Sequence, residues 1–182
     1  AGTTPAGEFA QSSHWANYTL LNILSVARST PLGKWWVWFF LQDDRIGQLA
    51  NYRTMAREVR FGLENSKVDF LLKGENQNCF VEVKSVSFDI GNHLALFPDA
   101  RTSRGRKHLR ELAHVTALGH RAVLFFCVQV SSVTSMGFAK QIDPDYVTAL
   151  KAAMKDGVEI LAMRCNLTKY GITLTRTVDL LI

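Results

Sequence analysis

Cys79-Phe80-Val81-Glu82-Val83-Lys84-Ser85, preceded by Lys67-Val68-Asp69-Phe70-Leu71-Leu72, is the stretch on which the reading of this chain turns. Successive side chains of an extended strand alternate between faces, so Cys79, Val81 and Val83 share one face and Glu82 and Lys84 the other. Gly74-Glu75-Asn76 between the two runs is a turn signal. The spacing therefore predicts neighbouring strands that bring together Asp69, thirteen positions upstream, Glu82 and Lys84. An ordinary cross-strand salt bridge is the plainer outcome of the same pattern.

Working outward, residues 57–61 form a third strand candidate, joined to residues 67–72 by Gly62-Leu63-Glu64-Asn65, which makes an antiparallel meander. Thr102-Ser103 offer N-caps for a helix ending near Gly119, and residues 121–129 read as a strand buried on both faces. A second helix is predicted over 143–155, closed by Gly157, then strands over 158–167 and near 172–180. That order places the chain in the α/β class, with a mixed central sheet flanked by helices. Ahead of it, residues 1–13 are small and polar, residues 15–24 look extended, residues 30–33 suggest a turn, and the apolar run 35–41 fits a helix or a buried strand. Two regions are expected: a remodelled or truncated N-terminal segment over 1–45 and an α/β domain over 46–182.

Composition narrows the classes. A chain of 182 residues, 47% hydrophobic and 20% charged, has the make-up of one packed domain and not of a disordered, collagen-like or coiled-coil chain. The run 35–41 is far below the ~20 residues of a membrane span, and the start lacks the basic-then-apolar order of a signal peptide, so a cytoplasmic protein with no membrane partner is expected. Cys79, Cys127 and Cys165 are odd in number and lack a C-x-x-C pair, which suggests neither a disulfide framework nor a zinc site. The net charge of +5 is local: between Arg101 and Arg121 six basic residues face one acid, Glu111, and the rest of the chain balances. On a helix starting at Ser103, Leu109, Leu112, Ala113 and Thr116 form the inward stripe and Arg104, Lys107, His108, Arg110 and His114 the opposite arc. Such an arc is either a solvated face or a surface that meets phosphates.

The D-x12-E-x-K constellation of Asp69, Glu82 and Lys84 resembles the core of the PD-(D/E)xK nucleases, a restriction-endonuclease-like fold. That resemblance implies a site in which Asp69 and Glu82, with the Val83 carbonyl, hold Mg²⁺ or Mn²⁺ and Lys84 acts on water or the scissile phosphate. Candidates for a further acid are Asp44, Glu64 and Glu58, in that order, and Asp99 in the turn 97–100. The basic set Arg104, Arg106, Lys107, His108 and Arg110 is the expected DNA surface.

Longer motifs carry a more specific resemblance. Residues 64–72 (ENSKVDFLL), 81–86 (VEVKSV), 97–100 (FPDA) and 104–112 (RGRKHLREL), followed by 119–126, 142–144 and 157–162, resemble the sugar fermentation stimulation protein family from about Ile46 to the end. The family's N-terminal OB-like module is not recognisable here. The resemblance implies DNA-binding proteins linked to regulation of maltose metabolism, with a nuclease-like C-terminal domain. Two functions stay open: a metal-dependent nuclease, and a non-catalytic DNA-binding regulator. DNA bound without sequence preference is the expected partner of either, and a homodimer is compatible with both.

Overall fold

The alternation read from the central stretch is realised in a mixed sheet. The computed structural model describes residues 37, 38, 40–168 and 171–182; the expectations for residues 1–36 lie outside the described residues. Along the chain come β1 (Thr54–Phe61), β2 (Ser66–Lys73), β3 (Cys79–Val86), β4 (Phe88–Asp89), β5 (Leu94–Phe97) and helix α1 (Ser103–Ala117). They are followed by β6 (Arg121–Val128), β7 (Ser135–Phe138), α2 (Pro144–Lys155), β8 (Glu159–Thr168), β9 (Gly171–Thr177) and β10 (Asp179–Leu181). The main sheet has the order β1-β2-β3-β6-β8-β9; its first three strands are antiparallel, β3, β6 and β8 are parallel, and β9 returns antiparallel.

Strand β6 explains the layering. Leu124 and Phe126 point to the face covered by α1 and α2, where Leu109, Leu112, Val115, Tyr146 and Leu150 complete one core. Val123, Phe125 and Cys127 point to the other face, packed with Phe70, Val81, Val83 and Cys165 under Val37, Phe40, Leu41, Ile46 and Leu49. The packed body thus extends ahead of residue 46. All three cysteines are buried free thiols, with the Cys127 and Cys165 Sγ atoms 2.7 Å apart.

Helices α1 and α2 begin as their caps predict. Thr102 Oγ1 accepts from the Gly105 amide at 2.9 Å, and Asp143 accepts from the Tyr146 amide at 3.0 Å ahead of Pro144. Two features depart from expectation. The last strand does not run unbroken over 172–180: a bulge in the β8–β9 pairing between Met163 and Cys165 turns the chain, and β10 joins a second sheet, β10-β7-β5-β4. That second sheet was not foreseen because its strands are two to four residues long, too short to show a period.

Candidate active site and nucleic-acid interface

The ladder between β2 and β3 pairs Leu72 with Cys79, Leu71 with Phe80 and Phe70 with Val81, and stops there. The next residues along, Asp69 and Glu82, would face each other, but the strands part. Instead Asp69 Oδ2 accepts from the Val83 amide at 2.8 Å, a carboxylate in the place of a ladder carbonyl. A strand residue turns its N–H and C=O toward the same neighbour, so the Val83 carbonyl also faces this gap. The outer ladder breaks at the same level: β1 pairs with β2 at Arg57–Phe70 and Val59–Val68 but not at Glu58, whose φ is 51°. A non-glycine residue held there costs about 1–2 kcal/mol. Beyond the break Val59, Phe61 and Val68 pack into the helix-side core, while Met55 and Phe70 before it pack on the other side. The kink thus folds the hairpin tip over α1.

Glu82 is 1% exposed, on the face covered by α1. Its Oε1 accepts from Lys84 Nζ at 2.7 Å and contacts His108 Nδ1 at 2.5 Å. Burial by itself would raise its pKa, but the His108 bond and the Lys84 charge outweigh this and hold it down to about 2. Glu82 Oε2 is equally buried and has no hydrogen-bond partner among the described residues. Asp69 beside Val83, this orphan carboxylate oxygen and the Val83 carbonyl form a set of hard oxygen donors, the kind Mg²⁺, Mn²⁺ or Ca²⁺ takes. They therefore fit a divalent cation in chemistry. Among the described residues no group of three or more His, Cys, Asp or Glu side chains gathers, so such a cation would rely on main-chain oxygen and water for the rest of its shell.

The candidates for a further acid scatter. Asp44 is exposed and bonds its own segment, accepting from the Asn51 amide at 3.3 Å, next to residues packed on the opposite face of the sheet. Glu64 is engaged by Arg110, whose Nε and Nη2 reach its two oxygens at 3.0 Å each; that bond leads in lowering its pKa. Asp99 is an exposed residue in the bend after β5. Glu58, ranked third from sequence, is the one that lies across from Asp69 and lines the cleft next to His108.

The expected DNA surface divides in two. His108 does not belong to the outer arc; it is 4% exposed and binds Glu82. Arg106 is held by Asp143 at 3.2 Å, and Arg110 is held by Glu64. Arg104 and Lys107 stay on a cleft of about 330 Å³ between the β1–β2 hairpin and α1, with Arg60 and Lys67 from the hairpin. Lys107 Nζ also donates to the Glu64 carbonyl. The buried stripe of α1 is Gly105, His108, Leu109, Glu111, Leu112 and Val115, with Ala113 and Thr116 only partly covered. His108 could have been placed from its spacing, since 105, 108, 109 and 112 follow the i, i+3, i+4, i+7 pattern of a core face. A polar type at those positions hid it.

The roles of two buried groups escaped the sequence reading. Glu111 Oε1 accepts from the Leu63 and Glu64 amides at 2.9 and 2.7 Å and ties the hairpin tip to α1. Tyr146, fully buried, packs its ring edge-on to Phe97; burial first, then the charges of Glu82 and Asp143, push its pKa up. Their burial follows helical spacing (108, 111, 112, 115 and 146, 150, 153), but what they bind has no local signal, because each partner is distant in sequence.

A mixed sheet with helices packed on it and a D…E-x-K set at the point where two strands part defines the restriction-endonuclease-like α/β class. Within that class, the family model described as sugar fermentation stimulation protein RE domain matches residues 35–171. The chain belongs to the sugar fermentation stimulation protein family. Sugar fermentation stimulation protein homologs of Histophilus somni and Pseudoalteromonas atlantica are 53% and 46% identical over 121 and 143 residues, which cover 66% and 78% of this chain and 50% and 61% of theirs. A family member from Pyrococcus furiosus, solved in complex with Ca²⁺, superposes with a TM-score of 0.71 at 28% identity, covering 79% of this chain and 61% of that one. The chain thus spans about half to three-fifths of the length of these relatives. Among the described residues no helix is long and apolar enough to cross a membrane.

Proposed function

We propose that this domain is a metal-dependent phosphodiesterase that acts on DNA. The observation that carries the reading is the Glu82 carboxylate, buried with one oxygen bound by Lys84 and His108 and the other unpartnered, beside Asp69 on the Val83 amide. A bound Mg²⁺ or Mn²⁺ would supply Lewis-acid polarisation of a phosphoryl oxygen and a lowered pKa for its water. Asp69, Glu82 and the Val83 carbonyl would hold it. Lys84 places a positive charge at the edge of the same site, where negative charge grows on the phosphoryl oxygens. His108 fixes the Glu82 carboxylate in place from the α1 side. The Ca²⁺ complex of the Pyrococcus furiosus relative supports the metal part of this reading.

A non-catalytic DNA-binding regulator is the second reading. It is favoured by the absence, among the described residues, of a third metal-type side chain in the group. The experiment that separates the two is cleavage of a labelled DNA duplex and of single-stranded DNA under Mg²⁺ and Mn²⁺ titration. The enzyme reading expects cleavage that Asp69→Asn and Glu82→Gln each abolish, with both variants folded and still binding DNA in Ca²⁺. DNA binding without metal-dependent cleavage in the wild type would leave the regulator.

A further inference from the structure

The basic residues of this chain are not equivalent in their pairing. In the stretch 101–121, Arg106, Arg110 and Arg121 are each held by a carboxylate: Asp143, Glu64 and Glu159. Arg104 and Lys107 have no ion pair among the described residues, and neither do Arg60 and Lys67 on the hairpin. These four unneutralised cations all line one cleft, against a single carboxylate, Glu58. The same cleft is lined by Ser66, 4% exposed, whose hydroxyl has no hydrogen-bond partner among the described residues. A surplus of positive charge beside a buried hydroxyl that lacks a partner among the described residues suits a compact anion.

Its position and shape narrow the ligand. The cleft shares the His108 ring with the Glu82 site, so whatever fills it lies next to that carboxylate. At the far end the hairpin tip is clamped onto α1 by Glu111 through the Leu63 and Glu64 amides and by the Arg110–Glu64 pair. A polynucleotide could not continue straight on through that clamp, so the cleft is bounded on that side. We propose that it takes the phosphate monoester at the end of a nucleic-acid strand, which sets the distance from that end to the Glu82 site. The strand as the remainder of the ligand rests on the function proposed above. The monoester itself rests on the cleft alone.

The test is binding without metal, in EDTA, read by fluorescence anisotropy. Its probes are labelled 12-residue oligonucleotides with a 5′-phosphate, a 3′-phosphate or neither, each competed by inorganic pyrophosphate. One phosphorylated form should bind at least tenfold tighter than the unphosphorylated form, and pyrophosphate should erase that difference. Lys67→Ala with Arg104→Ala should also erase it, each lost charged contact being worth about tenfold or more. Ser66→Ala should reduce it, and Lys151→Ala, which removes the same charge from the exposed side of α2, should leave it unchanged. Equal affinity for all three ends in a folded wild type, or equal weakening by the cleft pair and by Lys151→Ala, would overturn the proposal. Because no metal is present, loss of cleavage in Asp69→Asn cannot mimic either result.

Discussion

Replacing Glu111 by alanine should unlatch the hairpin that carries half of the cleft. The carboxylate is 2% exposed, and its Oε1 accepts from two amides, Leu63 at 2.9 Å and Glu64 at 2.7 Å. Hydrogen bonds to a charged group contribute about 1.5–3 kcal/mol each. The lower end applies, because the tip is open to water (Leu63 is 80% exposed) and the freed amides can rehydrate. Removing Glu111 Oε2, buried without a partner, returns part of the cost. A net loss of about 2–3 kcal/mol follows, equivalent to roughly 4–12 °C in Tm for a chain of this size. Urea unfolding followed by circular dichroism measures it, provided the slope m is unchanged. Gly62 supplies an internal control. Its φ is +68° and a Cβ there would lie 1.4 Å from Glu111 Oε2, so Gly62→Ala both strains the backbone and expels the carboxylate. The double variant should therefore cost about 2–3 kcal/mol less than the sum of the single ones, because the same two hydrogen bonds can be lost only once. A Glu111→Ala loss under about 1 kcal/mol, or an additive cycle, would refute the clamp.

Leu109, 1% exposed in the helix-side core, should cost roughly 2–5 kcal/mol as alanine, measured by the same denaturation. For Asp143, burial opposes ionisation, but the Thr102 and Tyr146 amides and Arg106 outweigh it and lower its pKa. Its stabilisation is thus present above the unfolded carboxylate value near ~4 and is lost as pH falls through the folded value; Asp143→Asn should flatten the acid side of the stability profile. Burial pushes the Cys79 thiol up to about 11, so iodoacetamide at pH 8 should spare it in the native protein and label it in urea, as read by mass spectrometry.

What could be read without the structure was whatever depends on neighbours in sequence. The period of two in residues 79–86 put Glu82 and Lys84 on one face, and the side chains meet at 2.7 Å. Thr102 and Asp143 cap their helices because a cap bonds an amide only three residues on. What could not be read depends on pairs far apart. His108 looked like one more member of a basic arc, and only the packing of α1 on β3, 26 residues away, makes it the partner of Glu82. Glu64 stands above Glu58 among the further-acid candidates read from sequence. Arg110, 46 residues on, takes it instead, while Glu58 comes across from Asp69 through the strand register. Charge counted along the chain likewise could not separate the cations that acids neutralise from those left on the cleft.

The same pairing bears on why Glu82 is kept. Removing a carboxylate from water is costly; the Lys84 and His108 bonds to one oxygen outweigh that cost, but the second oxygen stays buried and without a partner among the described residues. An apolar side chain on the helix-facing side of β3 would pack against α1 without that penalty, as Leu124 and Phe126 do on the adjoining strand β6. Strain at Glu58 and a ladder broken at Asp69 add to the cost at the same level of the sheet. Three unfavourable features in one place, each absent from the regular pairing of β3 with β6, are hard to account for as packing. They fit the proposed site, in which Glu82 Oε2 is left for a ligand to meet.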